Sequence, residues 1–175
     1  MNYKAKLHGI KAFVFDYDGV ISDGNIWSAN DQIIVRSGNV KDGYAIQYAL
    51  RKGYIVAILS GGNGESIRSR MKMLGVEDVY LGSHRKKEIF EQFLLDKGLE
   101  AEQVLYVGDD IPDYDVMTMV GVSVCPADAA EEIKSVADYI SHKCGGQGWV
   151  RDIIEQVLRL QGQWFHEDAK AWILQ

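Results

Sequence analysis

Cysteine and proline are nearly absent from this chain of 175 residues, with two of each. Cys125 and Cys144 lie far apart and match no metal-ligand spacing, so neither a disulfide framework nor a zinc site is expected. Both should be small apolar residues of the core. With only Pro112 and Pro126, no proline-rich linker divides the chain. Cations are short as well: Lys and Arg number 19 against 25 Asp and Glu, a net charge of -6. The longest basic run is Arg85-Lys86-Lys87, so the clustered cations that hold nucleic acid or an anionic membrane are missing. Apolar runs are brief too. Tyr54 to Leu59 falls far below the roughly 20 residues that span a bilayer. Met1 to Ile10 lacks the apolar centre of a signal peptide, so a cytoplasmic location is expected.

What is present is a hydrophobic content of 47% and a charged content of 25%, enough for a substantial core. The length suits one domain of roughly 150 residues or somewhat more, so a single domain over 1–175 is expected. Short apolar runs recur at Ala12–Phe15, Ile55–Leu59, Val79–Leu81, Val104–Val107 and Val122–Val124. Continuous rather than alternating, they suit strands buried on both faces of a parallel sheet. Helical patterns lie between them. Tyr44–Leu50, Glu65–Leu74 and Lys86–Lys97 each end near a glycine (Gly53, Gly75 and Gly98), a common helix stop. Asp113–Val120, Ala129–Ala137 and Val150–Leu160 are further helix candidates. The alternation predicts an α/β, three-layer Rossmann-like fold with helices on both faces of a parallel sheet. One stretch departs from it. Ile26-Trp27 and Ile33-Ile34-Val35 flank Asn30-Asp31, which reads as a β-hairpin inserted after the first strand, at about 23–39.

Acidic residues follow two of the strands. Asp16-Tyr17-Asp18-Gly19-Val20 leaves the first, and Gly108-Asp109-Asp110 leaves the fourth, with Asp113 just beyond. In open α/β folds these carboxyl ends form the ligand crevice. Carboxylates converging there repel one another, and a hard divalent cation with oxygen ligands, Mg²⁺, relieves the repulsion. Ser60-Gly61-Gly62-Asn63 follows the second strand and offers a hydroxyl and loop amides ahead of a helix, a phosphate cradle. Lys86 opens a helix, where its charge opposes the macrodipole, so its place needs another reason. Together these groups predict phosphoryl transfer by covalent catalysis. Asp16 is the nucleophile, Asp18 the general acid and then base, and Ser60 and Lys86 the phosphate ligands.

The order Asp16-x-Asp18-Gly-Val, Ser60, Lys86, Gly108-Asp109-Asp110-x-x-Asp113 resembles the haloacid dehalogenase superfamily of phosphohydrolases. Longer stretches (DYDGVISDG at 16–24, NVKDGY at 39–44, GDDIPDYDVM at 108–117, GVSVCPAD at 121–128, GGQG at 145–148) are similar to its sugar-acid phosphatases without a cap domain. These act on 3-deoxy-D-manno-octulosonate 8-phosphate (KDO 8-phosphate) in lipopolysaccharide biosynthesis. The resemblance implies Mg²⁺ held by the Asp16 and Asp109 side chains and the Asp18 main-chain carbonyl, with Asp110 and Asp113 in support. It implies a phosphate site of Ser60, Gly61 and Lys86, with Asn39, Asp42 and Gly43 nearby. It further implies a homotetramer in which the hairpins associate and a neighbour's C-terminal segment helps cover the site, the part matched here by the tail after Gly145, whose terminal stretch is about 161–175.

Three positions depart from that pattern. Gly62 and Gln147 stand where the family commonly has arginine, and Gly38 where an aromatic residue is usual. Arginine is the bidentate partner of a carboxylate, so Arg68, Arg70 and Arg151 become candidates to compensate. A nine-carbon substrate (KDN or N-acylneuraminate 9-phosphate) stays open beside the eight-carbon one. So does a non-catalytic subunit that kept the fold, although the intact acid, Ser and Lys set speaks against it. His8, His84, His142 and His166 show no mutual spacing and read as surface residues. Trp149, Trp164, Phe165 and Trp172 make the C-terminal region aromatic, which suggests packing between subunits.

Overall fold

The computed structural model describes residues 2–30 and 33–170. Among the described residues eight strands form, β1 Ala12–Phe15, β2 Ile26–Asn30, β3 Ile33–Arg36, β4 Ile55–Leu59, β5 Asp78–Tyr80, β6 Val104–Val107, β7 Val122–Cys125 and β8 Tyr139–Ile140. Six of them make one sheet in the order β5-β4-β1-β6-β7-β8, and every pairing in it is parallel. β2 and β3 pair antiparallel as the separate hairpin. The turn expected at Asn30-Asp31 lies partly outside the described residues.

The helices are α1 Tyr3–Lys6, α2 Val40–Arg51, α3 Glu65–Met73, α4 Lys86–Lys97, α5 Tyr114–Met117, α6 Glu131–Val136 and α7 Trp149–Leu160. Each central strand feeds both faces, which is why its sequence does not alternate. Phe13, Phe15, Val56, Ile58, Leu105 and Val107 pack with residues of α2 and α7. Ala12, Val14, Ala57, Leu59, Val104 and Tyr106 pack with Phe90 and Phe93 of α4 and Ile133 of α6. At about 25 cal/mol per Å² of apolar surface, this double burial is the main stabilising contribution.

Several boundaries move from their expected places for local reasons. α2 starts at Val40 because the Asn39 side chain accepts from the Lys41 N–H and caps it. Gly43 lies inside that helix close to α3, where a Cβ would come 2.8 Å from the mobile Arg70 guanidinium and 3.2 Å from Leu74 Cδ2. The helix expected at 113–120 is shorter, a 3₁₀ turn at Ile111–Asp113 and then α5. The chain must turn back into β7, and Gly121 passes so close to Glu102 that a Cβ would sit 2.1 Å from its carbonyl oxygen. Among the described residues no helix is long and apolar enough to cross a membrane.

The aromatic C-terminal region packs on its own chain, contrary to the expected intersubunit role for Trp149. That side chain is 0% exposed, and its indole N–H donates to the Val20 carbonyl at 3.0 Å. Trp164 meets Tyr48 edge-on at 5.2 Å between ring centroids, with the Arg151 and Arg159 guanidiniums over its ring. Asp168 pairs with Lys52 at 2.7 Å. Phe165 alone of the described aromatics there is well exposed, and Trp172 lies outside the described residues. Both cysteines are free. Cys125 is buried, whereas Cys144 is only half-buried, in a loop rather than the core. All four histidines are exposed.

Candidate active site

The parallel register places three loops at one edge of the sheet. Phe15 of β1 sits opposite Ile58 of β4 and Val107 of β6, so Asp16, Ser60 and Gly108-Asp109 emerge beside one another. They surround an open cavity of ≈ 250 Å³ lined by Asp16, Asp18, Gly19, Ser60, Gly61, Gly62, Lys86, Asp109 and Asp110.

Lys86 explains its own place at a helix start. Its Nζ lies 2.8 Å from Asp16 Oδ2 and 2.6 Å from Asp113 Oδ1, and its side chain is 2% exposed. Burial alone would lower its pKa, but Asp113 and Asp16 outweigh that and hold the ammonium above its ordinary value. Asp113 is the scaffold of the site. Fully buried, it accepts from Lys86, from the Tyr106 hydroxyl at 2.5 Å and from the Asp109 N–H at 3.2 Å. Removing one partner from so dry a network leaves a buried charge uncompensated.

The two carboxylates facing the cavity behave differently from ordinary aspartates. Burial and the charge of Asp113 raise the Asp16 pKa to about 6, against the pull of Lys86. Burial, Asp16 and Asp113 raise Asp109 further, to about 8. Burial is the larger cause of both shifts and repulsion between the carboxylates adds to it; a divalent cation would offset both. Carboxylate oxygens of Asp16, Asp109 and Asp113 lie within 4.8 Å of one another. Gly19 adds to the fit: at φ 78°, a Cβ there would sit 1.9 Å from Asp109 Oδ2. The oxygen-only donor set and this close approach fit a Mg²⁺ ion.

Asp18 stands apart from that group. Its Oδ1 accepts from Arg36 Nε at 2.7 Å and from the Ser22 hydroxyl at 3.2 Å. Ser60 is 1% exposed, and its Oγ accepts from the Gly62 N–H at 3.1 Å. Asp110 is exposed at the rim and caps the Ile111 turn, accepting from its N–H at 2.8 Å. Asn39, Asp42 and Gly43 do not line the cavity; they brace what does. Asn39 donates weakly to the Gly146 carbonyl at 3.5 Å, and Asp42 accepts from the Arg151 N–H at 2.8 Å. The 145–148 loop they steady presses on the loop that carries Asp16 and Asp18: a Cβ on Gly145 would lie 2.0 Å from the Gly19 carbonyl oxygen.

Chain comparison decides the family. A model of the haloacid dehalogenase-like hydrolase family matches residues 78–148. The 3-deoxy-D-manno-octulosonate 8-phosphate phosphatase of Salmonella typhi is 38% identical over 158 residues, 90% of this chain and 84% of that protein. This chain belongs to the KDO 8-phosphate phosphatase family. The Escherichia coli K12 phosphatase is also 38% identical, over 91% of this chain and 85% of its own length. Among solved structures of the family, the Yersinia pestis phosphatase superposes with a TM-score of 0.90 at 33% identity, covering 93% of this chain and 88% of that one. The Moraxella catarrhalis phosphatase, in complex with magnesium ion, phosphate ion and KDO, gives a TM-score of 0.90 at 30% identity, covering 93% of both chains.

Three functional contacts escaped the sequence reading. Tyr106 looked like a strand residue, and only its hydroxyl inside an apolar run hinted at a partner. Ser22 gave no signal beyond its place shortly after Asp18. Arg36 gives no signal in the sequence; Arg68, Arg70 and Arg151 are the candidates named there, for a substrate carboxylate. Of those, Arg68 is exposed, Arg70 lies against Gly43, and Arg151 lies over the Tyr44 and Trp164 rings.

Proposed function

We propose that this chain is a Mg²⁺-dependent phosphoric monoester hydrolase that converts KDO 8-phosphate to KDO and phosphate through an aspartyl-phosphate on Asp16. The observation that carries the reading is the convergence of Asp16, Asp109, Lys86, Ser60 and Asp18 on one cavity, in a chain 38% identical to phosphatases of that substrate. Asp16 and Asp109, with the Asp18 carbonyl, are the residues to hold Mg²⁺. The bound ion supplies positive charge that offsets the approach of a carboxylate to a phosphate dianion.

The chain's own groups supply the remainder. Lys86, fixed by two carboxylates, neutralises a phosphoryl oxygen, while Ser60 and the Gly61 amide orient another. A carboxylate oxygen of Asp16 forms the bond to phosphorus as the bond to the sugar oxygen breaks. Asp18, free of the acid cluster, gives its proton to that leaving oxygen. It then takes a proton from the water that attacks phosphorus and frees Asp16. Asp18 suits this double role because Arg36 and Ser22 both bond its Oδ1, which leaves Oδ2 to carry and pass the proton.

The assembly is proposed to be a homotetramer joined through the hairpin. Ile26, Trp27, Ile34 and Val35 are 54, 67, 41 and 51% exposed; the register puts Trp27 beside Val35 on one face of the hairpin and Ile26 and Ile34 on the other, exposed apolar groups of the kind that mark contacts. Free Cys125 and Cys144 suit a reducing, cytoplasmic setting. Phosphate release measured over a panel of eight-carbon and nine-carbon keto-acid phosphates, with and without EDTA, tests the reading. KDO 8-phosphate should be the preferred substrate and EDTA should stop turnover. Equal or better turnover of the nine-carbon phosphates would overturn the substrate assignment, and metal-free turnover would overturn the mechanism.

A further inference from the structure

We infer that Arg36, at the end of the hairpin strand β3, is the positioning residue for Asp18, and that Gly62 is side-chain-free to admit it. This rests on the role proposed above for Asp18 as acid and base.

The Arg36 side chain is 5% exposed, and its Nε lies 2.7 Å from Asp18 Oδ1. The Ser22 hydroxyl approaches the same oxygen at 3.2 Å, so one carboxylate oxygen is pinned from two sides. The other, Oδ2, faces the glycine loop: a Cβ on Gly62 would sit 2.7 Å from it, 3.2 Å from Arg36 Nη2 and 3.3 Å from Ser60 Oγ. A side chain at 62 would therefore displace the acid, the arginine or the phosphate-binding serine.

The arrangement is not one that stability alone selects. Arg36 Nη1 is buried and has no acceptor among the described residues, and a buried donor left unpaired is destabilising. The guanidinium is held where it fixes Asp18, at the expense of its own hydrogen bonding. Arginine suits the task because its planar fork gives direction as well as charge, which a flexible ammonium does not. A proton donor must lie at hydrogen-bonding distance from the leaving oxygen and be held to within about 0.5 Å of its productive position, and that precision depends on such support.

The test is a double-mutant cycle on the full-length protein with Mg²⁺ and KDO 8-phosphate. General acid–base catalysis contributes about 10²–10⁴-fold, so Arg36→Gln should lower kcat by about 10²-fold while KM stays nearly constant. Arg36→Lys should recover part of the loss. In an Asp18→Asn background, Arg36→Gln should cost nothing further, because Arg36 acts only through that carboxylate. Gly62→Ala, distant from the hairpin in sequence, should reproduce the kcat loss in a protein that melts like wild type. Effects that multiply in the double variant would overturn the inference, as would a folded Arg36→Gln enzyme with wild-type kcat. If Asp18→Asn itself keeps the full rate, both this inference and the proposed role of Asp18 fall. If only Arg36→Gln keeps it, this inference falls alone.

Discussion

Replacing Asp42 by asparagine should stabilise the protein at neutral pH, even though Asp42 caps a helix. It is 1% exposed, in the first turn of α2, and its Oδ1 accepts from the Arg151 N–H at the start of α7. Its Oδ2 is buried with no partner among the described residues. Two effects compete. A negative charge near helix N-termini stabilises by about 0.3–1 kcal/mol, whereas burial of the charged form is destabilising. Burial wins, raising the pKa from 3.8 to about 6 despite the Arg151 N–H and the charge of Lys143. That difference is worth about 3 kcal/mol at 1.36 kcal/mol per pH unit. Because the folded state holds the proton more tightly, this stability is fully present below the unfolded pKa and lost as pH rises from about 4 through about 6. The amide of Asp42→Asn keeps an acceptor for the Arg151 N–H and carries no charge. At pH 8 the variant should be about 1–3 kcal/mol more stable than wild type, or about 2–12 °C higher in Tm for a domain of this size. At pH 4.5 most of the gain should vanish. Denaturation at both pH values, in EDTA, measures it. A variant destabilised equally at pH 4.5 and 8 would show that the cap, not the buried charge, dominates, and would refute the reasoning.

Lys86→Met should abolish activity and destabilise the fold by about 3–5 kcal/mol, because Asp16 and Asp113 lose their buried partner. Urea denaturation checks the stability, and a melt unchanged from wild type would contradict it. Gly19→Ala should cost at least ten-fold in Mg²⁺ affinity by titration, since its Cβ would meet Asp109 Oδ2 at 1.9 Å in a φ 78° backbone. Wild-type affinity would show that Asp109 does not hold the ion. Trp27→Glu should shift the assembly toward smaller species in light scattering without changing the melting of the protomer core. Retention of a full tetramer would place the interface elsewhere.

Much of the architecture is legible in the sequence because the central strands are buried on both faces, so their apolar runs are unbroken. The acid pair Asp16 and Asp18 is legible for a related reason: two charges directly after such a run have no core role to play. What escaped depends on distant chain meeting chain. β8 is only Tyr139–Ile140, too short for a pattern, and exists because β7 offers it an edge. The place of Trp149 is set by a carbonyl 129 residues away in sequence, at Val20. Arg36 carries no local signal, and its partner Asp18 lies 18 residues away on the loop after β1. Tyr106 is apolar by its neighbours and polar by its one hydroxyl, and the buried Asp113 decides between them.

One measurement directly tests the covalent role proposed for Asp16. Substrate carrying a labelled phosphoryl group is mixed with the Mg²⁺-loaded protein, quenched in acid within a single turnover, and the chain is digested and mapped. The label should appear on the peptide containing Asp16 and decay as free phosphate forms, while Asp16→Asn shows neither bound label nor release. Turnover by Asp16→Asn at the wild-type rate, or label fixed on another residue, would contradict the mechanism.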